Sequence, residues 1–265
     1  MRKKSLLLLL WAYCLPQLGF SQGFAPTATN WALPAGGLVS ATGVNQSFTD
    51  LYFASSSAYG TGTQVWNTLD LNGDARPDLV VTREKGSSGD AVVFGTGTNR
   101  YWKVFLNTGA GYAATATNWA LPAGGIVSTN GINQSFPDLS LANSSAYGTG
   151  TQVWNTLDLN GDAKPDLVVL REKDSNGNSL VFGTGTNRYW KVFLNTGAGF
   201  ASTATNWALP VGGIVSTNGI NQSFPDLSLA NSSAYGTGTQ VWNTLDLNGD
   251  AKPDLVVLRE KDSNG

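Results

Sequence analysis

Over Arg188-Tyr-Trp-Lys-Val-Phe-Leu194 the side chains sort onto two faces of an extended strand: Trp190, Val192 and Leu194 on one, Tyr189, Lys191 and Phe193 on the other. This is the clearest strand in the chain, and shorter segments predict its neighbours. Gln152–Leu157 reads as one strand and Asp166–Leu170 as the next, the latter apolar on both faces as a central strand should be. Leu180–Phe182 reads as a short strand, Asn195–Gly199 as a turn, and Thr205–Leu209, closed by Pro210, as a further strand. Gly212–Gly238 is a long polar connection with one apolar patch at Phe224–Leu229. No stretch carries a helical period, so the expected fold class is all-β.

The same pattern recurs every 88 residues: Gly23–Ala110, Gly111–Ala198 and Gly199–Gly265, the last 21 residues short of a full period. The second and third repeats differ at only three of 67 shared positions, Tyr112/Phe200, Ala114/Ser202 and Ala123/Val211. An array in which each repeat stacks on the next is the physical reading, because one repeat cannot bury its own apolar face. Four to five antiparallel strands per repeat is the size of a propeller blade. The expected division is 1–21, 22–110, 111–198 and a truncated 199–265. The third repeat stops before its counterpart of Tyr189–Leu194, so we expect an open, incomplete array whose remaining blades belong to a longer chain.

Composition narrows the chemistry. With 32 Gly, 9 Trp and only 13% charged residues, the chain has a β-protein's make-up. It has no histidine, which excludes histidine-based nucleophile systems, the usual zinc sites and a histidine pH switch. The single cysteine, Cys14, lies in a segment with a basic start (Arg2, Lys3, Lys4), an apolar run from Ser5 to Leu15, and small residues at Gly19 and Ser21. That reads as a secretory signal, cleaved between Ser21 and Gln22, with a lipid anchor at Cys14 as the alternative, for which bulky Tyr13 makes a poor motif; the run is shorter than the ~20 residues a membrane span needs. Removing it leaves thirteen basic against eighteen acidic residues, about −5, so no nucleic-acid footprint is expected.

One motif carries chemistry. Each repeat has an acidic loop between its first two strands, Asp70–Asp78, Asp158–Asp166 and Asp246–Asp254. Oxygen-bearing side chains fall at position 1 (Asp70, Asp158, Asp246), position 3 (Asn72, Asn160, Asn248), position 5 (Asp74, Asp162, Asp250) and position 9 (Asp78, Asp166, Asp254). Fully extended, the first and last would stand ~26 Å apart. They converge only if the chain curls, which Gly73 and Pro77 allow. Converged carboxylates repel unless neutralised, and an all-oxygen donor set selects Ca²⁺. Position 7 (Arg76, Lys164, Lys252) would add its backbone carbonyl and keep its charge outside. The alternative is a metal-free hairpin turn, for which Asn-Gly-Asp is itself a signal.

Asp-Leu-Asn-Gly-Asp-Ala-Lys-Pro-Asp-Leu-Val-Val, followed by Trp-Lys-Val-Phe-Leu-Asn-Thr-Gly-Ala-Gly-Phe, resembles an FG-GAP/VCBS repeat across residues 23–265. The resemblance implies calcium-bearing blades of an integrin-like β-propeller. Two departures stand out: alanine (Ala75, Ala163, Ala251) at position 6, where the family commonly has glycine, and the unusual repeat length. If position 6 needs a positive φ, alanine there costs on the order of 1 kcal/mol.

The leading functional expectation is a secreted or cell-surface, calcium-binding, non-catalytic scaffold for adhesion or recognition, engaging a protein or glycan. Three alternatives remain: a lectin-type propeller, a propeller segment of an RHS-like toxin protein, and a glycan-directed enzyme. Trp66, Trp102 and Trp119 read as packing between blades, with a sugar platform as the competing role. Glu84, Glu172 and Glu260 read as solvated strand-end charges that block edge pairing. The Gly-Thr-Gly segments read as turns, since no helix or Lys-Ser/Thr follows them.

Overall fold

The computed structural model describes residues 27–34, 38–39, 45–46, 66–85, 91–123, 136, 154–173, 179–210, 224 and 242–257. The expected signal segment, 1–21, and, apart from Phe224, the polar connection 212–238 lie outside the described residues. The chain divides after Asn30, and all sixteen described strands belong to the second unit, Trp31–Gly265. Among the described residues every strand pairing is antiparallel and there is no helix.

Two short strands, β1 (Leu38–Val39) and β2 (Asn45–Gln46), pair with each other. The first large sheet contains β3 (Trp66–Leu69), β4 (Asp78–Val81), β5 (Arg83–Lys85), β6 (Ala91–Thr96), β7 (Asn99–Phe105) and β8 (Thr117–Ala120). Its second-repeat equivalent contains β9 (Trp154–Leu157), β10 (Asp166–Val169), β11 (Arg171–Lys173), β12 (Ser179–Thr184), β13 (Asn187–Phe193) and β14 (Thr205–Ala208). The hairpin β15 (Trp242–Leu245) and β16 (Asp254–Val257) starts a third.

Each large sheet is a path of five strands from one repeat, β3-β4-β7-β6-β5, with a sixth supplied by the next. β7 is the axis: Asn99–Tyr101 pair with β6, Lys103–Phe105 with β4, and β8 lies along the opposite edge, placing Trp102 across from Trp119. Thr117–Ala120 is therefore second-repeat in sequence and first-sheet in hydrogen bonding. The sheet crosses the repeat boundary. β6 and β7 join through Gly97-Thr98, where the positive φ of Gly97 (56°) suits the first central position of a two-residue hairpin turn.

The core lies between consecutive sheets. Leu71, Val80, Trp102 and Val104 from the first sheet pack with Trp154, Leu167, Val169 and Phe182 from the second. The next residues along β10 turn the other way: Val168, with Leu170, joins Trp190 and Val192 against Phe224 and Trp242 of the third repeat. That is why Asp166–Leu170 is apolar on both faces. The indole Nε1 of Trp102 donates to the Phe136 carbonyl at 3.1 Å, and Trp190 repeats the bond to Phe224 at 3.2 Å. These bonds pin one residue of each polar connection into the core. Trp66, Trp102 and Trp119 are all buried, so packing is their role.

Leu121 is 6% exposed, whereas Leu33, in the same Trp-Ala-Leu-Pro context, is 48% exposed. Leu121→Ala should therefore cost about 2–5 kcal/mol and Leu33→Ala under about 0.5 kcal/mol, read by urea denaturation. Equal losses would contradict the packing described.

Candidate metal centre

The acidic loop joins β3 to β4, whose antiparallel register sets Leu69 opposite Asp78. Its curl is held by side chain to backbone bonds. Asp70 Oδ1 accepts from the N–H of Gly73 (2.8 Å) and Asp74 (3.1 Å), and Oδ2 from Ala75 (2.8 Å). Asn72 Oδ1 accepts from Asp74 N–H at 3.1 Å, and Asp74 Oδ1 from Arg76 N–H at 2.9 Å. The second loop repeats these bonds through Asp158, Asn160 and Asp162, and the third through Asp246, Asn248 and Asp250. The backbone donors of a tight turn thus find acceptors within the turn.

Ala75, Ala163 and Ala251 have φ of 64°, 66° and 67°, the left-handed conformation anticipated for position 6. These alanines sit where glycine would be unstrained.

Position 9 is different. Asp78 and Asp166 are 0% exposed. Asp78 Oδ2 accepts from Leu71 N–H at 3.2 Å and Oδ1 from Asn107 N–H at 2.9 Å; Asp166 does the same with Leu159 and Asn195. Burial pushes both carboxyls above their ordinary range. The backbone N–H bonds pull them back only partly, and the charges at positions 5 and 1 add to the rise. In the third loop Asp254 Oδ2 accepts from Leu247 N–H at 3.0 Å.

Asn107 and Asn195, which sequence reasoning placed only in a turn, complete this arrangement. Each Nδ2 donates to the proline carbonyl at position 8, Pro77 (3.0 Å) or Pro165 (3.1 Å). Their signal in the sequence is a fixed offset of 29 residues from the buried aspartate.

Position 7 neutralises part of the charge. Arg76 Nη1 stands 3.8 Å from Asp74 Oδ2, and Lys164 Nζ stands 3.4 Å from Asp162 Oδ2. Desolvation pushes Asp162 up, but the Lys164 backbone N–H and ammonium outweigh it and hold the carboxyl below its ordinary value.

The donor set fits a hard cation in kind: carboxylate, amide and carbonyl oxygens with no nitrogen or sulfur. The carboxylates at positions 1 and 5 also keep lone pairs beyond their bonds to backbone N–H. Yet among the described residues no three acidic side chains are gathered as a ready-made ion site. The loop as folded closes on its own amides. The chain matches no family model and no curated protein.

Replacing Ala75 or Ala163 with glycine should stabilise the protein by about 0.5–1 kcal/mol each, the relief of left-handed strain exceeding glycine's extra unfolded-state entropy. Gly95→Ala should do the reverse, since a Cβ there collides with the Asn99 carbonyl oxygen. Both are read by denaturant midpoints.

A native carboxyl with a raised pKa holds its proton more tightly than the unfolded chain does. Asp78 and Asp166 therefore contribute stability that is complete below the ordinary pKa of 3.8 and is lost as pH rises through their native values. A carboxyl-carbon NMR titration in chelator should place both above 3.8 and Asp162 below it. One common midpoint would contradict the assigned burial.

Proposed function

We propose that this chain is a secreted or cell-surface, calcium-binding repeat protein of the FG-GAP/VCBS kind, its sheets consecutive blades of an incomplete β-propeller. Its role is to present loops for adhesion or recognition of a protein or glycan surface, without catalysing a reaction. The observation that carries the calcium reading is the buried aspartate at position 9. Asp78 has no basic side chain bonded to it among the described residues, and the negative charges of Asp74 and Asp70 act on it. Ionising such a group costs free energy unless a cation stands near it.

Asp70, Asn72, Asp74, the Arg76 carbonyl and Asp78 would hold the ion in the first loop, with the corresponding residues in the other two. Bound calcium would supply positive charge to the carboxylates, and the amides already bonded to Asp70 would keep that side chain oriented. A metal-free acidic turn is the competing reading. It is favoured by the bonds that satisfy Asp70 and Asp78 entirely from the backbone.

Melting curves separate the two. Extracellular calcium modules bind at ~10⁻⁴–10⁻³ M. At ten times the dissociation constant each occupied loop adds about 1.4 kcal/mol. Calcium at several millimolar should raise the melting temperature, excess chelator should lower it, and Asp158→Ala should remove the second loop's share. A melting curve indifferent to both additions leaves the metal-free turn.

A further inference from the structure

We propose that the Asn-Gly pair of the acidic loop is a latent modification site, at which Asn72 and Asn160 deamidate once the loop opens, and that the aspartate at position 1 is the lock that keeps the folded loop unreacted.

An asparagine followed by glycine, as in Asn72-Gly73 and Asn160-Gly161, has a nucleophile next to its own carboxamide. The glycine nitrogen attacks the asparagine Cγ as its proton passes to hydroxide. A bond forms between that nitrogen and Cγ, the bond from Cγ to Nδ2 breaks, and ammonia leaves with a proton returned from water. One water then opens the cyclic imide at either carbonyl, giving aspartate or isoaspartate. The net change is one water consumed and one ammonia released. Glycine offers no Cβ to obstruct the approach.

The loop prepares one reactant and restrains the other. Asn72 Oδ1 accepts from the Asp74 N–H at 3.1 Å, and Asn160 Oδ1 from the Asp162 N–H at 2.9 Å. A donor at that oxygen stabilises the negative charge it gathers when Cγ is attacked, so the carboxamide is primed. The nucleophile is not free. Gly73 N–H donates to Asp70 Oδ1 at 2.8 Å, and Gly161 N–H donates to Asp158 Oδ1 at 2.8 Å. A carboxylate acceptor strengthens that bond and opposes loss of the proton on which attack depends. Asp70 is itself held in place, because its Oδ2 accepts from the Ala75 N–H at 2.8 Å.

The second loop also closes over the first glycine. A Cβ on Gly73 would stand 2.9 Å from Lys164 Cγ and 3.4 Å from the Ala163 carbonyl oxygen. Little room is left there for the Asn72–Gly73 peptide to swing toward Cγ. Opening the loop removes both restraints at once, and the reaction it permits has no reverse. Isoaspartate would route the main chain through Cγ, adding a backbone atom to a turn in which Gly73 holds a φ of 77°. That loop would no longer close on the same amides.

The test follows the full chain over a time course in excess chelator, so that no bound cation orients Asp70 and the outcome is independent of the calcium reading. Conversion at Asn72 is read by mass in the peptide that carries Arg76, which sets it apart from the lysine-bearing copies. Enzymatic methylation of isoaspartate with a labelled methyl donor gives a second reading. Folded wild type should convert far more slowly than the same chain in urea. Asp70→Ala should raise the rate at Asn72 by about tenfold to a hundredfold, the factor that one hydrogen bond to a charged acceptor carries. Asp74→Ala removes the bond from Arg76 N–H in the same turn but leaves Gly73 clamped, so it should match wild type. Circular dichroism checks that the sheets persist. If Asp70→Ala unfolds, Asp70→Asn carries the test: it keeps an acceptor oxygen without the charge and should convert severalfold faster than wild type. Folded wild type that converts as fast as the chain in urea overturns the proposal. So does an unchanged rate in the folded position-70 variant, or an equal acceleration by Asp74→Ala, which signals general loosening of the turn.

Discussion

A strand that is apolar on both faces has to be covered twice. In β10, Leu167 and Val169 look into one core while Val168 looks into the other. At about 25 cal/mol per Å² of apolar surface, leaving either face wet forfeits several kcal/mol. A single sheet therefore cannot be the folding unit, and the chain answers by placing the next sheet against it. The indole bonds that tie Phe136 and Phe224 to neighbouring repeats follow from that requirement, as does the Asn195 bond to Leu71. Lending Thr117–Ala120 to the preceding sheet is a further tie: it covers an edge that would otherwise show unpaired backbone and links two repeats through main-chain bonds.

Much of this was legible from alternation alone. Arg188–Leu194 reads as a strand with Trp190, Val192 and Leu194 on one face, and Asn187–Phe193 is that strand, with Trp190 and Val192 buried. Leu180–Phe182 proves longer, Ser179–Thr184, because its polar ends pair through their backbone, to which a hydropathy pattern is blind. The partner of Thr117–Ala120 was not legible either. Alternation tells which face is covered, never which edge is paired. The bond from Asn195 to Leu71 spans 124 residues, so nothing local marks that asparagine as more than a turn residue. The position-6 conformation was legible only by contrast with the glycine usual in similar loops, since alanine itself gives no sign of a positive φ.

The acidic loops divide their carboxylates between two tasks. Positions 1, 3 and 5 supply acceptors for amides that a tight turn strands, so these side chains shape the loop whether or not charge is neutralised. Position 9 sits inside, bonded to one amide of its own loop and one of the distant turn. It ties the loop to the end of β7, and in doing so it places a carboxylate where water cannot screen it. The electrostatic cost of the motif is concentrated at that one buried group. Whatever relieves it, proton or cation, acts on the link between loop and sheet, which is why the chemistry of the loop and the stability of the array belong to one problem.

Identical sequence in unlike surroundings separates what a residue contributes from what its neighbour does. Trp31 and Trp119 share their flanking residues, yet one is 41% exposed and the other 1%. Leu71 and Leu247 occupy the same loop position and differ as widely. Burial here belongs to the junction, not to the residue. The contacts at one junction would serve equally well at another, so side-chain chemistry alone cannot tell a sheet's own successor from a sheet on a different chain. Tethering breaks that tie. A neighbour on the same chain is presented at an effective concentration far above that of a free molecule. Covalent continuity therefore makes the intramolecular junction the first to form.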